Sequence, residues 1–174
     1  MRRTLLGCLL LITSSASHAC SLATADVFMP SLERWEQHPG PAQEGGTGAY
    51  WEAVPQPQVK VKSITRGSEA PGSSCGDAGI IALELALPSE STYAVGDFGV
   101  YFRVLSGVQP DAIFPSIPIK GIVEGNRMTV VLAWLDGHPS QQAPLELQVE
   151  AFLVAEDLTI GPSQVFSVTA SAGG

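Results

Sequence analysis

The chain has 174 residues, and its 17 acidic and nine basic side chains give a formal net charge of −8 at pH 7. A chain of this length fits one domain with a substantial core. Because phosphate contacts require a basic footprint, so acidic a chain excludes nucleic acid and anionic lipid as expected partners.

Residues 1–19 have the pattern of a secretion signal. Two arginines form a positive start, the apolar stretch LLGCLLLI follows, and Ser17 and Ala19 supply the small residues that precede a cleavage site. The apolar run is too short for a membrane-spanning helix. We therefore expect an exported mature chain that begins at Cys20. Its net charge is about −10, because the signal contains two arginines and no acidic residue.

Two cysteines, Cys20 and Cys75, remain in that mature chain. Two cysteines in an exported protein most simply form one disulfide, and closing so long a loop stabilises a fold by about 4 kcal/mol in the chain-entropy model. A cysteine directly after the cleavage site is also the residue that bacterial lipoproteins acylate, although Ser17 stands where their motif has an aliphatic residue. The sequence favours the disulfide and leaves a lipid anchor at Cys20 as the alternative. Either one implies a periplasmic or extracellular protein.

Residues 20–54 are interpreted as a leader and linker. The stretch MPSLERWEQHPG predicts a short helix with Ser31 as its N-cap, and PAQEGGTG has the composition of a flexible linker. The leader contains the aromatic residues Trp35, Tyr50 and Trp51. These residues predict either a binding face or, as the favoured interpretation, contacts that tie the leader to the domain.

From residue 55 to residue 172 the hydrophobic pattern has a period of two. The alternating stretches are QVKVKSI, GIIALELALP, GVYFRVLSG, RMTVVLAWLDG, LELQVEAFLV and QVFSVTA. In the second stretch the inward residues are Ile81, Leu83, Leu85 and Leu87, and in the fifth they are Leu145, Leu147, Val149, Ala151 and Leu153. The proline-rich segment PDAIFPSIPIKG predicts an edge or crossover segment. Six or seven short strands without intervening helices predict an all-β antiparallel β-sandwich.

The stretch LELQVEAFLVAEDLTIGPSQVFSVTA resembles the end of a fibronectin type III domain. In the same family, VPQPQVKVKSI resembles the proline-bounded first strand and VYFRV the third. The likeness covers residues 55–172 and implies a fibronectin-III-like or immunoglobulin-like sandwich. Leu145 stands where that family has a corner tyrosine, and Trp134 is expected to fill the core in place of the tryptophan that the second strand lacks. The resemblance implies no particular activity, because such folds host many functions.

Two motifs suggest chemistry. In PGSSCGD, Ser74 fits the G-x-S-x-G pattern of a hydrolase nucleophile, but that motif needs a preceding strand and a following helix, whereas here a loop precedes and a strand follows. We interpret the stretch as a loop anchored by Cys75. In WLDGHPS, Asp136 and His138 are too few ligands for zinc, and the Asp-Gly and proline residues indicate a turn. A serine hydrolase using Ser74 and His138 is retained as an alternative.

Four acidic residues, Asp97, Asp111, Glu156 and Asp157, fall at predicted strand ends. Calcium binding would require several of them to converge with backbone carbonyls. No spaced calcium-binding motif is present, so solvated turns are the favoured interpretation. The sequence predicts no metal and no cofactor.

The sequence therefore predicts a non-catalytic exported β-sandwich that binds or supports another envelope or extracellular molecule. Phe114 and Ile117, in the proline-rich segment, form the predicted contact surface, and core packing is the alternative for both. Besides the hydrolase, a lipid-anchored envelope assembly factor remains a further hypothesis.

Overall fold

The computed structural model describes residues 25–37, 54–68 and 76–173. Within these ranges the chain forms two antiparallel β-sheets and one α-helix, which confirms the predicted antiparallel β-sandwich. The elements in chain order are β1 Asp26–Val27, α1 Met29–Gln37, β2 Gln58–Thr65, β3 Ala78–Ala86, β4 Gly99–Ser106, β5 Ile119–Lys120, β6 Ile122–Glu124, β7 Arg127–Leu135, β8 Leu145–Val154 and β9 Gln164–Ala170. The α-helix is not long and apolar enough to cross a membrane.

The strand order is β1-β5-β4-β8-β9 in one sheet and β2-β3-β7-β6 in the other. The proline-rich segment carries the chain from β4 to β5, and the chain then changes sheet between β5 and β6. Gly121 occupies this crossing point, where a Cβ atom would lie 2.1 Å from the carbonyl oxygen of Thr129. A side chain at this position would therefore collide with the backbone of β7. We call the end at which β2, β4, β7 and β9 finish the lower end, and the opposite end the upper end.

The core between the sheets contains the inward residues that the period-two pattern predicts. In β3 and directly after it, Ile81, Leu83, Leu85 and Leu87 are at most 3% exposed. The inward residues of β8 are buried as well: Leu145, Leu147, Val149, Ala151 and Leu153. Trp134 is also buried, as expected. Alternation along these two strands thus indicated the inner face of each sheet correctly.

A second, smaller cluster lies on the outer face of the five-stranded sheet. Trp35 of α1 packs there with the outward residues of β8 and with the segment that follows, and the buried members are Trp35, Phe152, Val154, Leu158 and Ile160. The ring of Trp35 lies 4.8 Å from the ring of Tyr101, tilted by 54°, and its indole N–H donates to the carbonyl of Ser116 at 2.9 Å. The leader helix is therefore bound to the sheet through Trp35, and the C-terminal part of β8 is covered on both faces.

The start of α1 differs from the prediction. The helix begins at Met29, so Ser31 lies inside its first turn and is not the N-cap. The Oγ atom of Ser31 donates back to the carbonyl of Phe28 at 3.3 Å. Pro30 accounts for the earlier start, because proline is favoured in the first helical turn, where an N–H has no intrahelical partner.

Candidate functional site

A buried ion pair organises the lower end of the sandwich. The Nε and Nη2 atoms of Arg66, just after β2, each donate to one carboxylate oxygen of Asp136, just after β7, at 2.8 Å. The side chain of Asp136 is fully buried and that of Arg66 is 6% exposed. The backbone N–H of Gly67 and the indole N–H of Trp134 also donate to Asp136, at 2.8 and 3.0 Å. Both oxygens of this carboxylate are therefore satisfied twice.

The guanidinium of Arg66 extends the contact to two more segments. It donates to the carbonyl of Ala143 at 3.0 Å and to the carbonyl of Ser171 at 3.0 Å. Burial raises the pKa of Asp136, but the hydrogen bonds from Arg66, Gly67 and Trp134 outweigh burial and hold that pKa below its usual range. The ion pair thus joins four segments of the lower end in one charged, hydrogen-bonded unit.

An apolar groove of about 410 Å³ lies on this end, between the β4–β5 connection and the start of β8. We call its apolar lining the lower rim, which consists of Val108, Pro110, Ala143 and Pro144. Val108 is 84% exposed, and it lines the same groove as Pro110, Ala143 and Pro144, so these residues form one exposed apolar patch. Ala143 belongs to the rim through its side chain and to the ion-pair unit through its carbonyl.

The rim loop begins at a position that requires glycine and is held in place by the side chain of Asp111. Gly107 has φ +95°, and a Cβ atom there would lie 2.1 Å from the carbonyl oxygen of Glu146. The carboxylate of Asp111 accepts from the N–H of Leu135 at 3.1 Å and from the N–H of Ala112 at 2.7 Å. These backbone hydrogen bonds lower the pKa of Asp111. The carboxylate of Asp111 thus connects the rim loop to the end of β7 through backbone hydrogen bonds and does not point toward a metal site.

The structure places the predicted contact residues largely inside the protein. Phe114 is 8% exposed and lies 5.2 Å from Phe102, ring to ring, in the main core. Ile117 is half-buried and packs against both apolar clusters. Trp35 is 2% exposed. Little of Phe114 or Trp35 is therefore left to contact a partner: Phe114 packs in the core, and Trp35 ties the leader helix to the domain.

Several other predicted residues lie outside the described ranges, namely Cys20, Trp51, Ser74 and Cys75. The disulfide, the lipid anchor and the serine hydrolase consequently stay predictions. The described residues that flank the predicted loop do approach each other, because the N–H of Ser68 donates to the carbonyl of Gly76 at 2.6 Å.

The turn predicted in WLDGHPS is present, with Gly137 at φ +76° and a 3₁₀ turn at Pro139–Gln141. The Nδ1 atom of His138 accepts from the N–H of Ser140 at 3.3 Å and lies 2.8 Å from its Oγ atom, so the ring caps this turn. What the sequence did not indicate is the burial of Asp136 in an ion pair. Its partner lies 70 residues away along the chain and leaves no local pattern.

Three of the four acidic turn residues lie close together at the upper end of the sandwich. Asp97, Glu156 and Asp157 line a pocket of about 690 Å³ that Arg34 and Lys120 also line. The positive charges of Arg34 and Lys120 would repel a calcium ion bound in this pocket. Among the residues that the structure describes, no group of three or more histidine, cysteine, aspartate or glutamate side chains is placed to hold a metal ion.

Comparisons of the chain with known protein families, with curated proteins and with solved structures found no match.

Proposed function

We propose that the protein is a non-catalytic, exported binding module, and that its lower rim contacts another molecule of the cell envelope or its surroundings. The observation that carries the proposal is the exposed side chain of Val108 beside a groove lined by Pro110, Ala143 and Pro144. Exposed apolar surface rimmed by polar residues is typical of interaction sites.

The rigidity of the rim supports the same function. Pro110 restricts the backbone of the rim loop, Pro144 restricts the segment directly before β8, and Asp111 binds the rim loop to β7. A surface that is already ordered loses little conformational entropy when a partner binds. Full burial of an aliphatic side chain such as valine contributes about 1.5–3 kcal/mol. Val108 therefore has the position and the chemistry of a central anchor.

The strand order is consistent with the finer proposal of an immunoglobulin-like sandwich. The order β2-β3-β7-β6 corresponds to strands A, B, E and D of that fold, and β9-β8-β4 corresponds to G, F and C. Loops at the ends of such sandwiches are frequent binding sites, as in antibody variable domains. This correspondence supports the fold assignment by analogy only, and the binding proposal rests on the rim.

The test compares two valines that are both more than half exposed but lie on different surfaces, Val108 on the rim and Val165 on β9. Wild type, Val108→Asp and Val165→Asp are immobilised and exposed to extract of the native envelope fraction, and bound proteins are quantified by mass spectrometry. We expect a partner that wild type and Val165→Asp retain equally and that Val108→Asp retains at least about tenfold less, since a carboxylate cannot be buried unpaired.

Equal retention by all three proteins would contradict the assignment of the rim. Failure of wild type to retain any envelope component would contradict the binding function itself. The unfolding midpoint of each variant in urea serves as the folding control. Val108→Asp lies in an exposed loop and should leave the midpoint unchanged, whereas Val165→Asp should lower it slightly, because the new carboxylate faces Glu150 across the strand pair.

A further inference from the structure

The outer face of the four-stranded sheet has an unusual composition. Sheets that face water on one side normally alternate apolar and polar residues. Here the outward positions of the central strands β3 and β7 are mainly apolar over the lower half of the sheet. These residues, which we call the flat patch, are Ala78, Ile80, Ala82, Val131, Ala133 and Leu135. Leu135 is 69% exposed.

The charged residues of this face lie at its upper half. Glu84 of β3 accepts from Lys62 at 3.3 Å and forms a second ion pair with Arg127. Lys60 lies on the edge strand β2 and Glu124 on the opposite edge strand β6, and neither makes an ion pair with another described residue. The edge strand β2 therefore carries basic groups, and the opposite edge strand β6 carries an acidic group.

We propose that this outer face packs against the same face of a second copy of the chain. The two-fold axis would run parallel to the strands, between β3 and β7. Rotation about such an axis places β3 of each copy over β7 of the other and β2 over β6. Residues that are paired neighbours across the strands of one sheet form a row, and each row lies over the same row of the other copy. Face-to-face sheets pack at about 10 Å with strand directions within about 30° of each other.

This arrangement is complementary in shape. Across the interface Ala78 meets Leu135 of the other copy, and Ala82 meets Val131, because these residues are paired neighbours in β3 and β7. Small side chains on one strand thus oppose larger ones on the other in each half of the dimer. Interdigitation of this kind is how two sheets reach the packing density of a protein interior.

The arrangement is also complementary in charge. Lys60 on β2 would approach Glu124 on β6 of the other copy, one row away, and Arg127 would approach the second Glu84. The face holds three basic and two acidic side chains in a chain whose net charge is −8. This face is therefore less acidic than the chain as a whole, which reduces the repulsion between two copies that meet there.

The area indicates a weak dimer. At about 3.3 Å per residue and about 4.8 Å between strands, the four strands cover roughly 450 Å² per copy, or roughly 900 Å² for the pair. A stable specific interface usually buries at least about 1,000 Å². We therefore expect a concentration-dependent equilibrium rather than a permanent dimer.

The first test measures the molecular mass of the mature protein by analytical ultracentrifugation at concentrations up to about 1 mM. Wild type is compared with Ala82→Arg, in the flat patch, and with Ser167→Arg, on the exposed outer side of β9. Both variants gain one positive charge, so their net charge is matched. We expect wild type and Ser167→Arg to dimerise alike and Ala82→Arg to associate at least about tenfold more weakly, since a buried unpaired arginine is costly. A wild type that stays monomeric throughout, or equal behaviour of the two variants, would overturn the proposal.

A charge exchange provides a second test that does not depend on the packing of an arginine. Lys60→Glu and Glu124→Lys should each weaken the dimer, and the double variant should restore it. Glu124→Lys is informative because it reduces the net negative charge and would strengthen non-specific association. Stronger association of Glu124→Lys alone, or no recovery in the double variant, would contradict the predicted two-fold axis. The rim variant Val108→Asp should dimerise like wild type, so this proposal can fail independently of the proposed function.

Discussion

Replacement of Asp136 by asparagine is expected to destabilise the protein strongly while leaving its shape almost unchanged. One carboxylate oxygen accepts from Arg66 and Trp134, and the other accepts from Arg66 and Gly67. An asparagine side chain must therefore point its NH₂ group at two donors, whichever way it turns. It also leaves the Arg66 charge buried without its partner. Breaking a buried ion pair in this way costs about 3–5 kcal/mol, a large share of the roughly 5–15 kcal/mol by which domains are stable.

The loss also depends on pH in a defined direction. The pKa of Asp136 in the folded protein lies below its ordinary value of 3.8. A depressed pKa means that the carboxylate stabilises the fold fully above the unfolded-state pKa, and that this stabilisation disappears as pH falls through the folded-state pKa. At pH 7 wild type should be more stable than Asp136→Asn by about 3–5 kcal/mol. Toward about pH 2 the difference should shrink, because wild type then becomes neutral at this position as well.

Urea unfolding at both pH values measures this difference. Glu84→Gln is the matched control, because it also removes a carboxylate from an ion pair but its partners Lys62 and Arg127 are 53% and 62% exposed. Ion pairs of this exposed type contribute about 0–1 kcal/mol. If Asp136→Asn cost no more than Glu84→Gln at pH 7, or if its cost were the same at pH 2, the ion pair would not organise the lower end as described.

Two further outcomes are expected. Trp35→Ala should lose about 3–5 kcal/mol of stability through the cavity left beneath α1. Amide hydrogen exchange should then rise in α1 while the inward residues of β3 stay protected. A uniform loss of protection would contradict the separation of the two apolar clusters. The intact mass of the mature protein from its native fraction should be two hydrogens below that of the reduced chain beginning at Cys20, as a Cys20–Cys75 disulfide requires, and an added lipid mass would establish the anchor instead.

The inner faces of the sheets were predictable because a strand reveals its buried side locally. Alternation in GIIALELALP was sufficient to identify Ile81, Leu83, Leu85 and Leu87 as core residues. The covering of the outer face was not predictable in this way. Phe152 and Val154 are outward residues of β8, and they are buried because Trp35 and the segment with Leu158 and Ile160 pack against them.

The candidate site was harder to predict than the fold. Phe114 lies among prolines, which indicated a surface loop, but the segment turns its aromatic ring into the core. Val108 lies in the stretch SGVQP, where one valine between turn residues carries no sign of its exposure. Asp136 could be assigned to a turn, but its role depends on Arg66, which is close in space and distant in sequence. Long-range pairing of this kind is decided by the assembled fold and not by a local pattern.

The contacts of Arg66 also order the events of folding. Its guanidinium binds Asp136 and, 105 residues further along the chain than itself, the carbonyl of Ser171 beyond the last strand. Contacts between residues so distant in sequence form slowly, because a long loop must close before they contribute. The hairpins of β2 with β3 and of β8 with β9 can pair before that closure. The lower end is therefore expected to be completed last, so any intermediate on the folding pathway would hold most of the sandwich together while the lower end was still unfinished.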